Sequence, residues 1–522
     1  MNFCLGQITS LRRYPWLQSV VFVICCHTSM LAQEPQAPIP IPLDEATSPF
    51  MDAVEAHMDY VTEHSYDQVG VRTTPMWLST IDIRTNGLPD PLLPQTLRWA
   101  NKLTSAGGAN LYWDQPTILV AFELSKRTGC KCYSDAASAY ITAYFDDCLS
   151  ATDLRSVLDP RLYYDVTRDQ LVDTTTEQDI CQPYTPAWET SWTIDAKSTE
   201  QQIRAFIQAS SHCEPQTSSV PAAESDQVDP DRLTANAQPN LPLESEIALI
   251  ESLCWLSTRG VNDRNKLTDQ ALVLARRRMD QRNRKTGLIP TQPNANLDEN
   301  DFSTTQIGSW SATLLRAADQ TGIREFQQIA ADALIAWLKS GFDHEQNKYY
   351  EQLNVQTGQP AQEQEPEQTA TRSPQPPRRH VEIFDLQTRP TYNAPMSMAE
   401  ACLSLYEKTN DPASNRAVQR WVRQVRQSLP ANAGRGAYAE DYGRVIHFLV
   451  RASEIMKRPA YRKLAQQVAF EAMDQLYVPR MGMFRSHPNE DRCDAADGPG
   501  FLLLALMYME GSDPTVNSAF QF

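Results

Sequence analysis

The chain has 522 residues, with 47 basic against 64 acidic side chains, a formal net charge of −17 and a pI near 5.0. That balance excludes a polynucleotide as the natural partner, because phosphate binding needs a basic footprint. It leaves an anionic sugar open, since a local basic loop can sit in an acidic protein. With 41% apolar residues, the length suits two or three average domains or one large repeat domain.

In chain order, Arg12 and Arg13 precede the apolar run Val20–Cys26, which reads as a secretion signal, either cleaved near Ala32 or kept as an uncleaved anchor. The expected location is secreted or periplasmic. Residues 33–45 form a Pro- and Gln-rich linker. The first helix is expected at about Ser48–Glu63, opening a toroid over 46–512, with a tail at 513–522. Helical hairpins then recur about five times, each an apolar helix, a turn and an amphipathic helix. The turns fall at Thr128-Gly129, Arg259-Gly260, Thr321-Gly322, Thr409-Asn410 and Lys457-Arg458. About fourteen helices are expected, the last near Gly500–Met509. The first and last look like single members that close onto each other. The predicted fold is therefore all-α, an (α/α)6 or (α/α)7 toroid, because units of this length bury their apolar faces only by stacking. Short strands are expected only in loops such as Arg161–Val166. Two stretches interrupt the ring, a polar loop at 214–240 and a low-complexity insertion at 356–379.

Eleven cysteines are present. Disulfides are expected among Cys130, Cys132, Cys148, Cys181, Cys213 and Cys493, whereas Cys254 and Cys402 lie on apolar helix faces and read as buried thiols. The densest basic stretch, Arg276 to Lys285, reads as a solvated helix face.

Toroids bind ligands with the loops of one rim, and sugar-binding rims combine aromatics with carboxylates. NLYWDQP places Tyr112, Trp113, Asp114 and Gln115 before a helix, with Asp114 a candidate N-cap or acid. YTPAWETSW, leading into a helix at Trp192, supplies Trp188, Glu189 and Trp192, the two tryptophans being either a core pair at i, i+4 or rim aromatics. GRGAYAEDYGR supplies Arg435, Tyr438, Glu440, Asp441, Tyr442 and Arg444, with His447 one turn on. The run 484–500 supplies Arg485, His487 and Asp497, the last a candidate cap for the final helix. A tyrosine and an arginine in one loop favour β-elimination, in which a base removes a proton and a cation neutralises the uronate. On that reading Tyr442 and Arg444 are the acid/base pair. Arg435 holds the uronate, while Tyr112, Trp113, Trp188, Trp192, Tyr438, Glu440, Arg485 and Asp497 line the site. Hydrolysis would instead use two carboxylates, Asp114 with Glu189 or Glu440. A non-catalytic glycan-binding protein is the third reading.

The segments NLYWDQPTILVAFELSKRTG, PAWETSWTID, LIESLCWLS, NAPMSMAEACLSLYEKTND, GRGAYAEDYGRVIHFL and GMFRSHPNEDRCDAADGPGFLLLAL resemble secreted bacterial toroid proteins similar to family 2 pectate lyases. That resemblance implies an (α/α)7 barrel and a metal-dependent lyase on polygalacturonate, an acidic polysaccharide. It also implies an arginine base and a divalent metal held by two histidines and a glutamate. The segment 210–232, where an Arg-His pair would fall, holds His212 alone; the chain's Arg-His pair is Arg379-His380.

Overall fold

A computed structural model describes residues 48–89, 107–149, 162–173, 186–211, 241–291, 301–360, 380–384 and 395–511. The expected signal, linker and tail, the loop 214–240, and Cys181, His212, Cys213 and Arg379 lie outside them. Among the described residues there are fourteen α-helices: α1 (Pro49–His64), α2 (Leu111–Thr128), α3 (Cys132–Leu149), α4 (Trp188–Ile194), α5 (Ala196–Ser211), α6 (Leu243–Ser257), α7 (Arg264–Asp280), α8 (Gln306–Thr321), α9 (Arg324–Ser340), α10 (Pro395–Thr409), α11 (Pro412–Gln427), α12 (Ala439–Ile455), α13 (Pro459–Leu476) and α14 (Pro499–Glu510). None of them is long and apolar enough to cross a membrane.

Burial separates these helices into two layers. The even-numbered α6, α12 and α14 are buried along most of their length, as a helix packed on all sides must be. In α14, PGFLLLALMYME, every residue from Pro499 to Met509 is buried. The odd-numbered ones carry one apolar stripe. In α11, PASNRAVQRWVRQVRQ, Ala417, Val418, Trp421, Val422 and Val425 are buried and Arg416, Arg423 and Arg426 face out.

Neighbouring even-numbered helices touch in sequence around a ring. Gln115 of α2 accepts from the Ala187 amide just before α4. Trp188 of α4 donates its indole N–H to Ser252 of α6 at 2.9 Å, and Trp310 of α8 donates to Glu246 of α6 at 2.9 Å. Gly308 of α8 lies so close to α10 that a β-carbon there would be 2.3 Å from the Met398 Cα. Glu400 of α10 meets His447 and Arg451 of α12. Tyr508 of α14 donates to Glu454 of α12 at 3.1 Å. The ring closes where α14 returns to α2: a β-carbon on Gly500 would lie 2.6 Å from the Thr117 nitrogen. The first helix, α1, packs outside α14. Seven inner helices thus form an (α/α)7 ring, with closure of first onto last as expected.

The expected hairpins are present, together with one that periodicity missed. Tyr184–Trp192 is not a loop throughout, because Trp188–Ile194 is helical and pairs with α5. The insertion begins later than position 356, since 352–354 pair with 302–304 and Pro360 bridges to Leu353. Strands are short and confined to loops. β1 (Thr80–Asp82) pairs antiparallel with β11 (Arg492–Asp494), and β2 (Gly108–Ala109), β3 (Leu162–Asp165) and β4 (Gln170–Asp173) form one patch. β5 (Phe302–Thr304) pairs with β8 (Gln352–Asn354), β6 (Phe342–Asp343) with β7 (Lys348–Tyr349), and β9 (Tyr477–Val478) with β10 (Met483–Phe484).

Cys130 and Cys132 are disulfide-bonded. Cys148 and Cys493, expected among the bridged residues, are buried thiols like Cys254 and Cys402. Arg278 is not solvated either. It is buried, with its guanidinium on Glu246 at 2.7 Å and on the Leu241 carbonyl at 2.6 Å.

The two ends of the ring differ. Where inner helices finish, connections run from one residue, Asp195, to six, Thr258–Asp263. Where inner helices begin, connections run from 11 residues (428–438) to 54 (341–394). Every long loop is therefore at one rim, together with the N-termini of the inner helices.

Candidate functional site

At that rim the start of α2 is built around Asn110. Its side chain accepts from the amides of Tyr112 and Trp113 at 3.0 and 3.3 Å, which makes Asn110 the N-cap. Asp114, expected as a possible cap, is one turn further in and free for other contacts. Its Oδ2 accepts from the Ser79 hydroxyl at 2.8 Å, the Tyr140 hydroxyl at 2.7 Å and the Asn110 amide at 3.2 Å. Among the described residues these bonds all fall on Oδ2 and none on Oδ1, and the residue as a whole is only 3% exposed.

The adjacent strand carries a second buried carboxylate. β1 pairs with β11 so that Thr80 faces Asp494, and the Thr80 hydroxyl donates to Asp494 Oδ2 at 3.0 Å. Asp494 Oδ1 accepts from the Ala496 amide at 3.0 Å, and the Ala495 amide donates to the Ser79 carbonyl at 2.8 Å. Two consecutive hydroxyls, Ser79 just before β1 and Thr80 at its start, therefore hold two acids that lie 380 positions apart in the chain (494 − 114).

Burial raises both acids, because it penalises the ionised form. The Asp114 carboxyl is pushed up to about 7, with the nearby Asp494 adding to burial and three hydrogen bonds opposing it. Asp494 is also raised by burial, against the pull of Arg492.

The other expected residues group around the starts of α12 and α14. Glu440 is buried and accepts from Arg444 Nε at 2.7 Å, and the Arg444 guanidinium lies 4.6 Å over the Phe501 ring. Gly498 passes so close that a β-carbon there would be 2.6 Å from the Glu440 Cβ. Tyr438 packs on His487 at 4.7 Å, and burial, then Arg492, lowers the His487 imidazole to about 4. Arg492 contacts Glu490 at 2.6 Å and Asp497 at 3.8 Å. Asp497 is fully buried and does not cap α14, whose N-cap is Gly498. Arg485 donates to the Pro488 carbonyl at 3.1 Å. Arg435 is exposed and donates to the Asn432 carbonyl at 3.1 Å.

Several expected residues are elsewhere or otherwise engaged. Tyr442 points to the outer layer and donates to Glu471 of α13 at 2.9 Å. Burial, with Glu471 beside it, raises its phenol further above its ordinary value. A phenol so held cannot act as a base near neutrality, so the acid/base pairing of Tyr442 with Arg444 is not supported by this geometry. Tyr112, Trp113 and Trp188 are at most 2% exposed and offer no face to a sugar. They pack inward because an inner helix is enclosed on all sides. Trp192 is half-buried against Trp255. Glu189 is exposed and ion-paired with Arg259, in the short connection after α6, so it does not join Asp114. His447 is buried on Glu400 at 2.8 Å.

The two-histidine, one-glutamate ligand set does not assemble among the described residues, where no cluster of three or more histidine, cysteine or carboxylate side chains could hold a metal ion. His57 accepts from the Phe484 amide, His380 pairs with Asp343, and His487 accepts from the Asn489 amide, while His64 and His344 are exposed.

Ser79, Thr80, Tyr140, Arg492 and Asp494 were not singled out from sequence. The run DAADGPG before α14, with two aspartates ahead of a glycine-proline start, is the local signal that marks Asp494.

No protein-family profile matches the chain, and no curated protein matches it in sequence. Solved structures do share its outline. A D-mannose isomerase aligns at TM-score 0.47 and 9% identity, over 90% of this chain and 99% of that one. An alpha-1,6-mannanase of a Salegentibacter species aligns at 0.42 and 9%, over 88% and 98%. An unsaturated glucuronyl hydrolase from Bacillus sp. GL1 aligns at 0.39 and 12%, over 62% and 84%. Likeness at this level transfers neither a substrate nor the role of any residue.

Proposed function

We propose that this chain is a carbohydrate-active enzyme that hydrolyses a glycosidic bond in an acidic glycan, with Asp114 as proton donor. One observation carries the reading. Asp114 has a carboxyl raised to about 7 by burial, with its hydrogen bonds among the described residues all on Oδ2 and none on Oδ1. A general acid works best when its pKa lies near the working pH. Asp114 would protonate the glycosidic oxygen through Oδ1 as the bond to the anomeric carbon breaks. Water would then add to that carbon, giving its proton to a second carboxylate, for which Glu440 is the candidate. Arg444 orients Glu440 through the 2.7 Å contact. Arg435, exposed on the same rim, is the candidate for holding a uronate.

The β-elimination reading is weaker because Tyr442 is engaged on the outer layer and stays protonated. The test is incubation of the protein with polygalacturonate and other uronic-acid glycans, following both reducing ends and the ultraviolet absorbance of unsaturated uronides. Reducing ends without that absorbance support hydrolysis, and Asp114→Asn should then cost about 100- to 10,000-fold in rate. Growth of the absorbance would replace this reading with a lyase. Binding without either product would replace it with a glycan-binding protein.

A further inference from the structure

The turn joining α2 to α3 carries Cys-Lys-Cys, and residues 130–132 are all exposed. A cross-link between residues two apart removes little freedom from the unfolded chain, because the closure term grows with loop size. Nor does the turn need it. Gly129 ends α2 in the left-handed region (φ 75°) and donates to the Ser125 carbonyl at 3.0 Å. The Cys130 amide donates to the Thr128 hydroxyl at 3.2 Å, and the Ser134 amide to the Ser125 hydroxyl at 2.8 Å. The disulfide is thus an exposed bond that a well-tied turn can lose.

Its surroundings suit a thiolate. Cys132 is the first residue of α3, an 18-residue helix, and its amide donates to Cys130 Sγ at 3.3 Å. Lys131, between the two cysteines in sequence, adds a positive charge to the turn, and Asp135 in the first turn of α3 opposes it in part. The other described cysteines, at 148, 254, 402 and 493, are buried thiols raised by burial, Cys402 to about 12. Among the described residues, this pair alone is open to a thiol reagent.

The geometry points to a thiol–disulfide exchange centre at Cys130–Cys132, taking low-molecular-weight thiols of the glutathione class. An external thiolate attacks Cys132 Sγ. The S–S bond breaks, and its electron pair goes to Cys130 Sγ, where the Cys132 N–H and Lys131 receive the charge. A mixed disulfide remains on Cys132. A second thiolate attacks the external sulfur of that bond, forming the oxidised thiol dimer and releasing the Cys132 thiolate. Two thiols are oxidised, and the protein disulfide becomes a dithiol that takes up their two protons. The centre is at the finish of α2, whereas Asp114 is at its start, so it does not depend on the glycan reading.

The test equilibrates the full-length protein with graded ratios of reduced to oxidised glutathione, followed by acid quench, alkylation and tryptic digestion. Lys131 lies between the cysteines, so the oxidised pair keeps two tryptic peptides joined. The expected result is a cross-link that titrates with the glutathione ratio while the circular dichroism is unchanged. Cys130→Ser should capture glutathione on Cys132. In Cys132→Ser, Cys130 should alkylate at neutral pH several-fold faster than glutathione itself. The inference is overturned if the cross-link survives excess reduced glutathione until the protein unfolds. Alkylation no faster than glutathione, or a double Cys130→Ser/Cys132→Ser variant that melts well below the parent, would equally overturn it.

Discussion

Replacing Asp114 with Asn tests the buried carboxyl without knowledge of the substrate. The carboxyl rises from an ordinary 3.8 to about 7 on folding. One pKa unit is worth about 1.4 kcal/mol, so the folded state is favoured by about 4 kcal/mol more at pH 4 than at pH 8 through this group alone. The sign follows from proton uptake. Between the unfolded and folded values the native chain binds more protons, so stability falls as pH rises across that window. In a ring of this size unfolding carries an entropy of about 1 kcal/mol per degree, which converts the difference to roughly 4 °C. The assay is a pair of thermal melts, parent and Asp114→Asn, across pH 4 to 8. The amide does not ionise and can still accept from Ser79 and Tyr140. The melting difference, parent minus variant, should therefore shrink or reverse as pH rises. A difference that stays flat across the window would refute the claim that burial holds this carboxyl protonated.

Tyr442→Phe removes the bond to Glu471 and should lower stability by about 1–2 kcal/mol by denaturant melt, leaving any pH–rate profile in place. Arg278→Met strips the partner from buried Glu246 and should cost about 3–5 kcal/mol. Arg276→Ala breaks an exposed pair with Glu325 and should leave the denaturation midpoint nearly unchanged; equal losses in the two denaturation curves would refute the assigned burial. Gly308→Ala forces a β-carbon against the Met398 backbone and should cost several kcal/mol by the same measurement, through overpacking at the α8–α10 contact.

The ring was legible where local chemistry specifies it. Thr321-Gly322 and Thr409-Asn410 mark turns because each second residue adopts positive φ, 76° and 54°. The all-apolar sequence of α14 announces an enclosed helix. A helix at Trp192 was legible, but its pairing with α5 as a hairpin was not, because α4 has only seven residues, too few to show a period. The pairing of Thr80 with Asp494 could not be read at all, since it joins the two ends of the chain and depends on closure. For the same reason Asp114 was named as a candidate while the Ser79 and Tyr140 hydroxyls that set its character were not. The aromatic residues misled because a tryptophan before an inner helix is equally suited to packing and to stacking, and enclosure decides for packing.

Closure of the first helix onto the last also fixes when the molecule can be finished. A chain made from its N-terminus leaves α1, α2 and α12 with apolar faces uncovered until 499–510 emerge, because α14 packs against all three. Until then the nascent protein is an open arc whose strand β1 awaits β11. A stop codon placed before Pro499 should therefore leave a chain that proteases digest throughout, rather than a ring lacking one helix. Residues 499–510 act as a keystone, and the rim that holds Asp114 comes into being only when they are seated.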